Sequence, residues 1–389
     1  MKHLSYITET FTESVIREMT RISDAMDGLN LSQGFPDFES PLLIKEAAIR
    51  AIKSNKNQYP VTFGEPELRE AISKKILKYN NIIANPSTEI TVTCGATEAM
   101  LATLKAIINP GDEIIIFEPF YENYGPDGIL SGATLKFVKL YAPDWHIDFD
   151  ELSAAFNNKT KAIIINTPNN PTGKVFSFSE MKEISKLCEK WDTYAITDEI
   201  YEHILYDNSV HISLASLPGM AERTITINSI SKTYSVTGWR VGWAVASPEI
   251  TARIRKVHDF LTVGAPTPFQ HAASEALSFE NQYYDELQQK YDDSCKHLYE
   301  TLVNSGFKPY KPKGAYYMIA DVSSLFSKLN AENDFDFSRK LIEKTRVATV
   351  PGFSFYSTKN FVSKQVRFAF CKKQETLDKV RDLFFNHLT

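Results

Sequence analysis

Between residues 90 and 245 the chain alternates short apolar runs with helical stretches, and this alternation restricts the fold more than any other feature. The runs are EITVTCG, EIIIFE, KAIIIN, YAITDE, TITIN and RVGWAVA. Several are apolar throughout rather than at every second residue, as strands covered on both faces should be. Strand–helix alternation of this kind predicts an α/β fold of three layers, a mostly parallel sheet with helices on either side. Beyond residue 281 come a long charged helix, the run KGAYYMIADV, a further helix and the run KQVRFAF, which together describe a smaller α+β lobe. A length of 389 residues suits two such units at about 100–200 residues each.

Upstream, residues 10–27 read as an amphipathic helix. Thr10 and Glu13 have capping-box spacing, and Val15, Met19, Ile22 and Met26 recur at three- and four-residue steps. The stretch LNLSQGFPDFESP is an apolar stub followed by a loop. Helical patterns follow at 42–54 and 66–79, the second with Pro66 at its start.

Forty-three basic residues against 48 acidic ones give a net charge of -5, which lacks the basic excess that nucleic-acid binding requires. The four cysteines, Cys94, Cys188, Cys295 and Cys371, are scattered and form no CxxC pair, which argues against a disulfide framework or a zinc site. The first 26 residues hold no apolar leader segment, and the longest apolar runs are far shorter than the roughly 20 residues of a membrane span. A cytoplasmic protein without membrane partners is expected. Dinucleotide, P-loop, zinc-protease and serine-hydrolase motifs are missing, and no metal site is expected.

In an open parallel sheet, ligands bind beyond the carboxyl ends of the strands. After KAIIIN stands Thr167-Pro168-Asn169-Asn170-Pro171-Thr172-Gly173, and after YAIT stands Asp198-Glu199-Ile200-Tyr201. After TITIN come Ser229-Ile230-Ser231-Lys232 and then Thr237-Gly238-Trp239-Arg240, and after TVTCG come Ala96-Thr97-Glu98, where a helix start could hold an anion. Taken singly these residues have plain readings. Lys232 is a solvated loop lysine, Asn-Asn-Pro-Thr-Gly a turn, Asp198 a helix cap, and Arg367 a charge guarding a sheet edge. His203 is a packing residue on the helix that Asp198 begins. Together, each after its own strand, they put an amide, a carboxylate, a phenol, a lysine and an arginine at one sheet edge. A lysine among apolar strands and near another cation has its pKa lowered from about 10.4 and becomes a nucleophile suited to Schiff-base chemistry.

The motifs NNPTG, DEIYEH and SKTYSVTGWRVGW, in that order, resemble those of the class I/II aminotransferases, enzymes of fold type I that use pyridoxal 5'-phosphate. The likeness extends from about Leu31 to Arg367. It implies that Lys232 holds the cofactor as a Schiff base and shuttles the proton, that Asp198 pairs with the pyridine nitrogen, and that Tyr201 and Asn170 hydrogen-bond the ring's phenolic oxygen. Arg240, Ser229 and the backbone at Gly95, Ala96 and Thr97 would bind the phosphate, with Tyr121 stacked on the ring. Arg367 would receive the substrate carboxylate, with Asn170 beside it and Gly34 letting the backbone approach. Tyr59 matches a residue that reaches the neighbouring subunit's phosphate, which implies a homodimer with shared active sites. The implied organisation is a cofactor-binding large domain at 46–280 and a small domain formed from 1–45 and 281–389.

QGFPDF, EPFYENY and KVHDFLTVGAPTP look most like the kynurenine/glutamine/methionine branch of the family. Thr97 stands where some aspartate-using relatives carry a lysine, and PGFSFY places Phe353 and Phe355 near the mouth of the site. Neutral, aromatic or sulfur-containing amino donors are therefore expected, with a 2-oxo acid such as 2-oxoglutarate as acceptor. A carbon–sulfur β-lyase, an aspartate-preferring aminotransferase and a non-catalytic binding protein are the rival readings.

Overall fold

All six apolar runs lie in one eight-stranded sheet of the computed structural model, which describes residues 2–358 and 362–388. In chain order the strands are β1 (Ile90–Thr93), β2 (Glu113–Glu118), β3 (Thr134–Tyr141), β4 (His146–Ile147), β5 (Thr160–Asn166), β6 (Tyr194–Asp198), β7 (Thr224–Ser229) and β8 (Gly242–Val245). In space they run β1-β8-β7-β6-β5-β2-β3-β4. The central pairings β7–β6, β6–β5, β5–β2 and β2–β3 are parallel, and the marginal ones are antiparallel. The expectation of a mainly parallel α/β sheet is met. β3 was not among the expected runs, because its sequence TLKFVKLY carries lysines on a half-exposed surface near the sheet margin.

Successive residues of a strand face opposite sides, and the sheet uses both sides for core. Ile114, Ile116, Ile164 and Ile196 pack in one apolar cluster with α4 (Gly95–Ile107). Ile115, Phe117, Ile163 and Ile165 pack on the other side with the helix Phe178–Trp191. This explains why the runs are continuously apolar.

A second, four-stranded antiparallel sheet has the order β9-β10-β12-β11, with β9 (Lys308–Pro309), β10 (Tyr317–Asp321), β11 (Val350–Pro351) and β12 (Gln365–Ala369). The helices Asn281–Asn304 and Gln374–Leu388 contribute Leu298, Leu302 and Phe384 to the core beneath it, with Phe368 of β12. Leu29–Asn30 pairs in parallel with Val347–Ala348, which ties the two ends of the chain together.

Two local expectations are corrected. The first long helix, α1, spans Val15–Ala25, and its cap is Ser14, whose hydroxyl accepts the Arg17 N–H at 3.3 Å. Thr10 cannot cap it because its hydroxyl closes the preceding short turn by donating to the Ile7 carbonyl at 2.6 Å. Glu13 instead pairs with Arg21 at 2.7 Å. Residues 199–203 form turns rather than a helix, closed by three-residue hydrogen bonds such as Ile204 N–H to the Tyr201 carbonyl at 2.8 Å. The helices α2 (Leu42–Lys53) and α3 (Pro66–Asn80) fall where the patterns put them, with Pro66 in the first turn of α3. Among the described residues no helix is long and apolar enough to cross a membrane.

Candidate active site

Register brings together the strand ends from which most of the predicted residues follow. Thr93 pairs with Gly242, Gly242 with Ser229, Ile227 with Asp198, and Asp198 with Asn166. The carboxyl ends of β1, β5, β6 and β7 and the start of β8 thus line one edge, as the open-sheet rule requires.

Lys232 follows β7, and its Nζ lies 3.4 Å from the Gly34 carbonyl and 5.8 and 6.0 Å from the ring centroids of Tyr201 and Tyr316. Burial lowers its pKa to about 8. Arg240 and Arg367 push the same way, and Asp198 opposes them. The solvated-loop reading of Lys232 therefore fails, since water would leave the ammonium near its ordinary value.

Asp198 ends β6 and is buried, which raises its pKa to about 6 against the opposing hydrogen bonds of Tyr124 and the Ile200 N–H. The Tyr124 hydroxyl donates to Asp198 Oδ2 at 2.6 Å. Tyr124 opens the short helix α5 (Tyr124–Leu130) and was not singled out in the sequence. Its signal is the second tyrosine of EPFYENY, three residues past Tyr121 and so on the same side of a helical turn. Tyr121 is half-buried, and its ring meets Tyr124 edge-on with centroids 5.7 Å apart.

Arg367 sits in β12, flanked by β10 and β11, and is 1% exposed. It is therefore no edge guard. Its guanidinium donates to Asn170 Oδ1 at 2.7 Å and to the Ser32 carbonyl, and it lies over the rings of Tyr317 and Phe355 at 4.2 and 4.9 Å. Among the described residues its buried Nε has no hydrogen-bond partner. Tyr201 and Tyr317 share a hydroxyl contact at 3.0 Å, and the Tyr316 hydroxyl donates to the Gly34 carbonyl at 3.0 Å. Gly34 has to be glycine here: a β-carbon would fall 1.9 Å from the Tyr317 hydroxyl. Ser32, Tyr316 and Tyr317 are further residues that the sequence reading missed, because nothing in their local patterns sets them apart from core.

On the other side of Lys232, Arg240 donates to the Thr237 carbonyl at 3.0 Å and approaches the Cys94 carbonyl. It faces the first turn of α4, where backbone N–H groups have no helical partner. Gly95 has φ +80°, and a β-carbon there would lie 2.3 Å from Arg240 Nη2. Ser229 accepts the Ser231 N–H at 3.3 Å, and the buried Ser231 hydroxyl has no partner among the described residues. Tyr59 does not join this group. It is 85% exposed on the loop before α3.

Behind the site, Glu199 and Glu202 are buried among Lys75, Asn80, His211, Ser213 and Asn228. These carboxylates and His211 are close enough to hold a cation, and the Lys75 ammonium already supplies one to Glu202. His203 lies between the rings of Tyr79 and Tyr284, with centroids at 4.0 and 4.3 Å, and burial lowers its pKa to about 3. It is a packing residue, as expected.

The family model "Aminotransferase class I and II" matches residues 26–384. The chain belongs to the class I and II aminotransferases. Kynurenine--oxoglutarate transaminase 3 of Mus musculus is 36% identical over 401 residues, covering 97% of this chain and 88% of its own. The solved structure of N-succinyldiaminopimelate aminotransferase from Mycobacterium tuberculosis superposes with a TM-score of 0.93 at 35% identity, covering 98% of this chain and 99% of its own. A methionine aminotransferase structure, YbdL from Escherichia coli, superposes with a TM-score of 0.93 at 32% identity, covering 99% of this chain and 100% of its own.

This aminotransferase accordingly moves an amino group from an amino acid to a 2-oxo acid and uses pyridoxal 5'-phosphate. Its residues fit that cofactor. The gap between Gly95 and Arg240 is one that any side chain at 95 would fill, and it lies beside an orphaned serine hydroxyl and unpaired helix amides, as a phosphate group requires. A lysine of lowered pKa and a buried carboxylate lie deeper in the same edge.

Proposed function

We propose that this aminotransferase draws on neutral, aromatic or sulfur-containing amino acids and passes the amino group to an acceptor such as 2-oxoglutarate. The observation that carries this reading is the wall around Arg367. Tyr317 and Phe355 lie against its guanidinium, and Phe355 clusters with Ile16, Val350, Tyr121 and Tyr356. An apolar side chain gains about 25 cal/mol for each Å² it buries on such a wall, whereas a carboxylate would be desolvated. The kynurenine and methionine aminotransferases among the relatives point the same way. Screening the twenty amino acids and kynurenine as donors with 2-oxoglutarate tests it. Phenylalanine, methionine or kynurenine is expected to exceed aspartate in kcat/KM, and a preference for aspartate would overturn the reading.

In this scheme Lys232 Nζ holds the cofactor between turnovers. Asp198 would pair with the ring nitrogen, Tyr201 and Asn170 with the phenolic oxygen, and Tyr121 would stack on the ring. Arg240, Ser229 and the amides of Gly95, Ala96 and Thr97 hold the phosphate. Pyridoxal 5'-phosphate, when bound, supplies an electron sink for the pair left on the substrate Cα as its proton departs. Lys232 Nζ would take up that proton, hold it and later release it again. With a pKa near 8 it gives up its own proton more readily than an ordinary lysine would. Arg367 binds the α-carboxylate, assisted by Asn170 and by the backbone at Gly34, and so orients the Cα–H bond toward Lys232.

Amino acid and 2-oxo acid both carry the carboxylate that Arg367 receives, so Arg367→Lys should damage both half-reactions alike. The substitution keeps the charge and loses one of two parallel hydrogen bonds, each worth about 1.5–3 kcal/mol. Steady-state kinetics should show kcat/KM falling roughly 10–100-fold for donor and acceptor, mainly through KM.

The same proposal includes a homodimer whose Tyr59 reaches the phosphate site of the partner, with the chain divided into a large domain at 46–280 and a small one from 1–45 and 281–389. The loop bearing Tyr59 is tied to the end of helix Pro248–Leu261 through His258 and the Thr62 carbonyl at 2.7 Å. Tyr59, Val61, Phe260, Leu261 and Val263 are all exposed there, with Phe260 at 91%. An apolar face of this kind suits a subunit interface. The pairing of Leu29–Asn30 with Val347–Ala348 supports a small domain built from both ends. A cytoplasmic location fits the free state of all four cysteines.

A further inference from the structure

We infer that Tyr124 is a positioning residue for the cofactor, fixing Asp198 and keeping it ionised through the hydrogen bond from its hydroxyl. The inference rests on the assignment of Asp198 to the ring nitrogen and adds a residue to it. A carboxylate that is to hold a protonated ring nitrogen has to carry its charge in a site from which water is excluded. Asp198 is 5% exposed, and Tyr124 is 3% exposed. Among the described residues Asp198 Oδ2 receives the Tyr124 hydroxyl at 2.6 Å, and Oδ1 receives only a long contact from the Ile200 N–H at 3.4 Å. The tyrosine bond is the short one of the two, and it leaves Oδ1 with a free lone pair for the ring nitrogen.

The surrounding charges make this bond matter. Lys232 faces Asp198 from the loop after β7 and favours the carboxylate, whereas Glu199 next to it in the chain disfavours it. The phenols of Tyr121 and Tyr201 also lie within electrostatic range. Asp127, one turn along α5 from Tyr124, is buried with Oδ2 unpartnered among the described residues, and burial raises its pKa to about 7, which lessens the negative charge it brings near neutral pH. Tyr124 therefore does two separable things: its ring supports the edge of Tyr121, and its hydroxyl holds the carboxylate. Tyr124→Phe removes only the second.

The test is pyridoxal 5'-phosphate binding to the apoenzyme, followed by the visible absorption of the bound cofactor between pH 5.5 and 9. The parent should lose affinity as pH falls through about 6, where Asp198 takes up a proton. In Tyr124→Phe that loss should begin one to two pH units higher, because a hydrogen bond to a charged group is removed. Affinity at pH 7 should drop roughly 2- to 10-fold and recover by pH 9. Asp198→Asn carries no ionisable group, so adding Tyr124→Phe to it should cost little more. A parent-like pH profile in Tyr124→Phe, or a weakening that is equal at every pH or additive with Asp198→Asn, overturns the inference. If the parent itself binds no pyridoxal phosphate, it is the cofactor assignment that fails.

Discussion

Lys232→Ala is expected to abolish amino-group transfer, with kcat reduced by at least about 10⁴-fold, and to remove the visible absorption of the bound cofactor. The loss should not come from unfolding. The fold lowers the pKa of Lys232 to about 8 from the ordinary lysine value, so the native state binds its proton less tightly than the unfolded chain does. That penalty on folding is complete below about pH 8 and disappears above the ordinary value. Removing the amine relieves it, and thermal unfolding of the cofactor-free variant at pH 7 should occur at or above the parent's midpoint. Lost activity with an undiminished midpoint assigns the effect to chemistry. The same variant tests the shared site. A Lys232→Ala chain still carries Tyr59, and a Tyr59→Ala chain still carries Lys232. If Tyr59 serves its partner, mixing the two inactive or impaired variants should generate hybrids with one intact site. Mixtures that never exceed the sum of their parts would exclude the shared arrangement.

The parts of this molecule that were legible in the sequence share one property: their signal is local. The six strand runs are continuously apolar because both sheet faces are covered, and each catalytic candidate follows its own strand because β–loop–helix units put loops at one edge. Arg367 is different. Its local context suggested an edge charge as readily as a binding residue, and only its place between two strands, with Asn170 and the Ser32 carbonyl as partners, removes the first reading. The helix predicted after Asp198 fails for a similar reason. Glu199 and Glu202 are strong enough helix formers in isolation, but both are drawn into a buried polar group with partners on α3 more than 100 residues away. Tyr124 was visible only as an aromatic residue in an apolar cluster, since nothing in EPFYENY says that a hydroxyl will meet a carboxylate from β6. Ser14 was overlooked as a cap because Thr10 and Glu13 satisfied the spacing rule, while the hydroxyl that decided the matter was already engaged with Ile7.

The buried group behind Asp198 makes the largest stability prediction. Lys75 on α3 pairs with Glu202, and the two side chains are 6% and 3% exposed. Burial alone would raise the Glu202 pKa, but Lys75 overrides it and holds the carboxyl below the usual range. Asn80 and Asn228 each donate to Glu202 at 2.6 Å, yet neither brings a charge. Lys75→Met removes the cation and leaves an ionised group in a dry interior, a change that costs about 3–5 kcal/mol and should lower the thermal midpoint by roughly 4–6 °C. The loss should ease at low pH. Glu202 has a depressed native pKa in the parent and so stabilises the fold above its unfolded value, and this contribution disappears as pH falls through the native one. In Lys75→Met the native carboxyl takes up its proton more readily, so the two proteins should converge on acidification. Glu202→Gln added to Lys75→Met keeps the shape and removes the stranded charge, and it should recover much of the loss at pH 7. Because the turns of residues 199–203 hang between Asp198 and Tyr201, a partial loosening in Lys75→Met should also weaken cofactor binding. The double variant should restore both together. Recovery of stability without recovery of cofactor affinity would mean that the charge pair supports the fold but does not position the site.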